Sequence, residues 1–146
     1  MLQRERGFTL LEILLVVAAI AILAGIVIVA INPARQLGNT RNAQRKVDIK
    51  TILSAVYQYE IDNGSFPSSI PSGTATEVCK TNAASCANMI DLNALAPTYI
   101  SALPVDPLLP STDTNGTGYT IYENSDSRIV VAAPHAELGQ TISITN

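Results

Sequence analysis

Apolar residues are laid out along this chain in two different ways. From Ile13 to Ile31 the sequence runs for nineteen residues without one polar side chain, whereas beyond Asn32 the apolar positions recur at intervals. At ~1.5 Å per residue a helix from Phe8 to Ile31 reaches roughly 36 Å, enough to cross ~30 Å of hydrocarbon. Asn32-Pro33 interrupts it. Proline has no N–H to donate and its ring crowds the preceding turn, so a kink is expected there. Helical spacing then resumes, with Ile49, Ile52, Leu53, Val56 and Tyr59 following the i, i+3, i+4, i+7 rule of one buried face and Lys50, Gln58 and Asp62 falling elsewhere. Asn63-Gly64 predicts the stop, because glycine accepts the left-handed conformation common just past a helix end.

From Ser65 to Gly73 the prolines and serines break any period, and a loop is expected. Asp91 to Leu95 predicts a short helix capped by Asp91 and ended by Pro97, after which Pro104, Pro107 and Pro110 hold an extended connection. Strands are predicted late, over Tyr119 to Glu123, Arg128 to Ala133 and Thr141 to Thr145, with Asn124 to Ser127 as the hairpin turn between the first two. The expected fold is α+β: a long N-terminal α-helix, transmembrane in its first half and amphipathic in its second, packed on a small C-terminal antiparallel β-sheet head.

Composition limits this picture. At 146 residues the chain fits one modest domain, and removing a membrane-length segment leaves room for a single small head. The net charge of −3 is mild, but its distribution is uneven. Arg35, Arg41, Arg45, Lys46 and Lys50 are opposed locally only by Asp48, while the region after Gly64 sets Lys80 and Arg128 against seven acids. Two cysteines, Cys79 and Cys86, lie in a polar loop and are too few for a four-ligand zinc site. A local disulfide is expected, with two free thiols as the alternative, and a bridge requires the head to lie outside the cytoplasm.

The segment Gly7-Phe8-Thr9-Leu10-Leu11-Glu12, preceded by Arg4 and Arg6 and followed by the apolar run, resembles the processing site of type IV prepilins. The resemblance is strongest over residues 7–31. It continues to Pro67, where Tyr59 through Pro67 is similar to the helix end and loop of pilins and of type II secretion pseudopilins. One departure is that Pro33 falls later than in well-studied pilins. The resemblance implies a cleaved leader at 1–7, a transmembrane and filament-core helix at 8–32, an amphipathic stem helix at 33–63 and a globular head at 64–146 with an αβ-loop, a disulfide loop and antiparallel strands. A prepilin peptidase would cut between Gly7 and Phe8 and methylate the Phe8 amine. The partners implied are copies of this chain, the peptidase, an assembly platform with minor pilins, and the cytoplasmic membrane before export.

Physical chemistry gives these residue types their roles. Glycine lacks a Cβ, so a protease can draw the backbone at Gly7 close to its catalytic groups. An ionisable group inside a spanning helix costs ~2.5–3.5 kcal/mol at mid-membrane on insertion scales, so Glu12 calls for a cation or for water at the membrane edge. The resemblance implies the Phe8 amine of a neighbouring copy as that cation. Apolar helices leaving lipid need equivalent cover, which side-by-side packing of Val16 to Ile31 provides, and repetition by one screw operation builds a fibre.

The function expected first is a subunit of a surface pilus. A type II secretion pseudopilin and a non-polymerising membrane-anchored binding domain are the alternatives. Lys and Arg retained on the cytoplasmic side would place the head inside, but processing at Gly7 and a Cys79–Cys86 bridge both require the leader inside and the head outside. The basic stem is then a solvated face, a surface facing acidic groups of neighbouring subunits, or a contact for DNA phosphates. No catalytic residue, cofactor or metal is expected: His135 is a single loop histidine, and no serine stands in a nucleophile motif. Asp106, Asp113, Glu123 and Asp126 could hold calcium in loops, as some pseudopilin heads do, yet their spacing matches no calcium-loop pattern.

Overall fold

A computed structural model describes residues 7–110 and 112–146. Positions 1–6 of the expected leader, Arg4 and Arg6 among them, lie outside the described residues. The elements in order are α1 (Leu10–Ile31), α2 (Pro33–Asn63), β1 (Thr76–Cys79), a single 3-10 turn (Asn93–Leu95), β2 (Gly116–Glu123), β3 (Ile129–Ala132) and β4 (Ser143–Thr145). Two compact units divide between Leu37 and Gly38.

The first unit is dominated by α1, whose residues are all exposed. At Asn32 one helix ends and another begins, in place of the kink expected there. Asn32 adopts the left-handed conformation at φ 46°, which its short polar side chain tolerates. Its side-chain oxygen accepts the Arg35 N–H at 3.2 Å, so it caps α2 while Pro33 takes the first helical position, where a missing N–H costs nothing.

In the second unit α2 lays Ile49, Ile52, Leu53, Ala55 and Val56 against the sheet. Burying each of the larger aliphatic side chains is worth about 1.5–3 kcal/mol. The stop is as the sequence predicts, with Gly64 at φ 75° donating its N–H to the Glu60 carbonyl. The sheet is an antiparallel meander in the order β1-β2-β3-β4. Alternation along β2 turns Tyr119 and Ile121 into the core with Ile129 and Val131 of β3, joined by Val78, Leu92, Leu95, Leu103 and Ile142. The Asn124 turn forms as expected: its side-chain oxygen accepts the N–H groups of Asp126 and Arg128 at 3.0 and 2.9 Å.

Two elements differ from the expectation. Asp91 to Leu95 shrinks to the 3-10 turn over Asn93–Leu95, with Asp91 accepting the Asn93 N–H at 2.8 Å as an Asx turn would. A fourth strand, β1, pairs Thr76 with Ile121 and Glu77 with Thr120, and its register shifts before Cys79 reaches Gly116. Cys79 and Cys86 are bridged, with Cα atoms 5.6 Å apart, so the disulfide closes the loop leaving β1.

Candidate functional site

The N-terminus of α1 is built by a local hydrogen bond. Thr9 keeps extended backbone at φ −78° and ψ 152°, and its hydroxyl oxygen accepts the Glu12 N–H at 3.2 Å. One of the orphan donors of the first turn is thereby satisfied. Glu12 sits in that turn, where the positive end of the helix dipole favours a carboxylate. Among the described residues no cation pairs with the Glu12 side chain. Gly7 and Phe8 precede the helix in irregular backbone, Phe8 is 79% exposed, and nothing approaches the place of a Gly7 Cβ within 4 Å. The role of Thr9 was legible as a Thr-x-x-Glu spacing but escaped the sequence reading.

Behind this terminus α1 carries 22 residues, Glu12 its one charged side chain, and none of them is buried. At ~1.5 Å per residue it is ~33 Å long. Apart from Glu12 the helix is apolar on every side, and such a surface takes its cover from lipid or from other chains. By length and composition α1 is able to anchor the chain in a membrane.

The prokaryotic N-terminal methylation motif matches residues 2–28. Type II secretion system core protein G of Pseudomonas aeruginosa is 33% identical over 72% of this chain and 69% of its own length. This chain belongs to the core protein G family, among the type IV pilin-like proteins. The same-named protein of Pectobacterium carotovorum is 35% identical over 71% of this chain, and the chain spans 62% of that relative's length. That of Escherichia coli K12 is 28% identical over 99% of this chain and 92% of the relative. No solved structure gives a significant match.

Away from α1, the basic stem is not the uniformly solvated or partner-facing surface that the sequence suggests. Arg45 is fully buried, and its Nε and Nη2 donate to Asp106 at 2.7 and 3.0 Å. Its Nη1 donates to Glu137 Oε2 and Asn42 Oδ1, both at 2.9 Å. Arg41 forks onto the same Glu137 at 2.6 and 2.7 Å. Both arginines are thus committed within the head, which leaves Arg35, Lys46 and Lys50 exposed on α2. The hydrogen bonds from Arg41, and then those from Arg45, hold the Glu137 carboxyl down at about 2. Burial works to raise Asp106, but the Arg45 hydrogen bonds and the Leu108 N–H outweigh it and its pKa falls.

Asp48, the one acid among these stem cations, turns inward and accepts the Tyr119 hydroxyl at 2.6 Å and the Gln44 amide at 2.7 Å. Burial first, and then the Asp48 carboxylate, push the Tyr119 hydroxyl well above its ordinary pKa.

Proposed function

We propose that the chain is a structural pseudopilin: a membrane-anchored precursor cut between Gly7 and Phe8 by a prepilin peptidase, methylated at the Phe8 amine, and polymerised through α1. The role is structural, and the peptidase acts on the chain. The observation that carries the reading is an apolar helix with no buried residue, opened by a Thr9-capped turn that holds Glu12 at its exposed start. A carboxylate there needs a cation once the helix enters an apolar surrounding. A freed Phe8 amine on the next copy supplies it.

From sequence alone a surface pilus is expected first and a secretion pseudopilin second; similarity to type II secretion system core protein G favours the second. Partners on this reading are copies of the chain, related minor subunits, the peptidase and an assembly platform in the cytoplasmic membrane. Mass spectrometry of the mature protein tests it: the expected chain starts at a methylated Phe8. A mature form that retains Met1 would instead favour a single-pass anchored domain that never polymerises.

A further inference from the structure

The similarity to pseudopilins raises calcium for the loop carboxylates, and the geometry of those carboxylates answers the question. A calcium site needs six to eight oxygens converging at ~2.3–2.6 Å. Both Asp106 oxygens are taken by Arg45, and Oδ1 also accepts the Leu108 N–H at 2.9 Å. Both Glu137 oxygens are taken by Arg41 and Arg45. Asp113 Oδ1 accepts the N–H groups of Asn115 and Gly116 at 3.1 and 2.9 Å, an Asx turn, and Glu123 Oε2 accepts the Ser72 hydroxyl at 3.3 Å. Among the described residues no three acidic side chains converge, Asp126 of the Asn124 turn included. The donor set does not fit the ion.

We infer that Arg45 is itself the cation on which the head is assembled, so that the head folds and holds its late loops without calcium. Asp106 comes from the proline-rich connection before β2 and Glu137 from the loop between β3 and β4, which lie 61 and 92 residues from Arg45 in sequence. One guanidinium gathers both. Its planar fork matches a carboxylate in two parallel bonds, and four of its five N–H groups are used here. Asn42, one turn earlier on α2, completes the clamp: its Nδ2 donates to the Glu137 carbonyl at 2.8 Å and its Oδ1 accepts the Glu137 N–H at 2.9 Å. Two positive and two negative groups balance in this cluster, and among the described residues no buried side-chain polar atom is left unpartnered. A divalent ion entering here would have to expel a buried guanidinium.

The backbone is shaped to the same cluster. Gly118 has φ +80°, and a Cβ there would stand 2.8 Å from the Asp106 Cβ. Gly38 lets α2 approach the Leu138 side chain, which a Cβ would meet at 3.2 Å.

The test uses the full mature chain in detergent, melted and followed by amide exchange in EGTA and in excess CaCl2. Wild-type Tm and exchange at the Leu108 and Glu137 amides are expected to be the same in both. A Tm that drops in EGTA, or calcium-dependent protection of those amides, would overturn the inference. Arg45→Met, in EGTA, is expected to melt about ten degrees or more lower, with exchange at Leu108 and Glu137 accelerating before that of the sheet. Melting at the wild-type temperature would also overturn it. Should Arg45→Met fail to fold, the wild-type comparison in EGTA and CaCl2 decides alone.

Discussion

Arg45 and Asp106 face each other with neither side chain reaching solvent, joined by two hydrogen bonds of 2.7 and 3.0 Å. Removing one member of such a pair strands a charge in the core. Asp106→Ala is therefore expected to cost about 3–5 kcal/mol, a large share of the ~5–15 kcal/mol that holds a domain together. Replacing both members with apolar residues, as in the double variant Arg45→Met with Asp106→Leu, is expected to recover part of that loss. Urea melts of the single and double variants check it. A double variant less stable than Asp106→Ala alone would contradict this reading of the pair.

Acid should act through the same cluster. Glu137 is held at about 2, against ~4.3 for an unperturbed glutamate, and Asp106 is also lowered. A depressed folded pKa gives stability that is fully present above the unfolded value and lost as pH falls through the folded one. Head stability is thus expected to hold from neutrality to about pH 4.5 and to decline between about 4.5 and 2. Denaturant midpoints measured across that range report it, and in Glu137→Gln the decline should be shallower.

Alkali should meet a different group. Tyr119 is buried and bonded to Asp48, so its hydroxyl stays protonated where an ordinary tyrosine ionises. Because its folded pKa is raised, its contribution is intact below pH ~10 and lost as pH rises beyond it. Tyr99 is also raised, by burial and then by Asp62. Ultraviolet titration of the five tyrosines is therefore expected to show more than one late group, with Tyr119 the one that stays un-ionised until the head unfolds. In Tyr119→Phe that late step disappears and stability falls by about 1–3 kcal/mol, since buried Asp48 loses a partner.

The Cys79–Cys86 bridge closes a short loop beside β1, and its loss should be felt locally. Cys79 donates its N–H to the Ile90 carbonyl at 2.9 Å, and Ile90 donates to Glu77 at 2.8 Å. In Cys79→Ser with Cys86→Ser, exchange at these amides is expected to accelerate while β2 and β3 keep their protection. Stability should fall by about 2–3 kcal/mol on loop entropy. Hydrogen exchange with mass spectrometry reads both.

What the sequence discloses follows from how local each feature is. The span to Ile31, the α2 face from Ile49 to Val56, the stop at Gly64 and the hairpin at Asn124 are set by neighbours within a turn or two, and all were legible. β1 was not, because Thr76 and Glu77 have no alternation of their own, and their pairing is decided by β2 some forty residues later. The Arg45 cluster was hidden for the same reason. A run of basic residues reads as a solvated face, and only the folded chain brings Asp106 and Glu137 to it. Glu12 stood out because an acid beside nineteen apolar residues is conspicuous, whereas Thr9, whose hydrogen bond is purely local, was overlooked in its shadow.

The proposed function requires that copies of the chain cover α1 and that Glu12 pair with the Phe8 amine of the adjoining copy. Quantifying the sedimentable filament fraction from cells making wild-type or Glu12→Ala chain, alongside the amount inserted in membrane, tests it most directly. Equal insertion with filaments reduced or lost in the variant is the expected result. Filaments at the wild-type level from Glu12→Ala would contradict it.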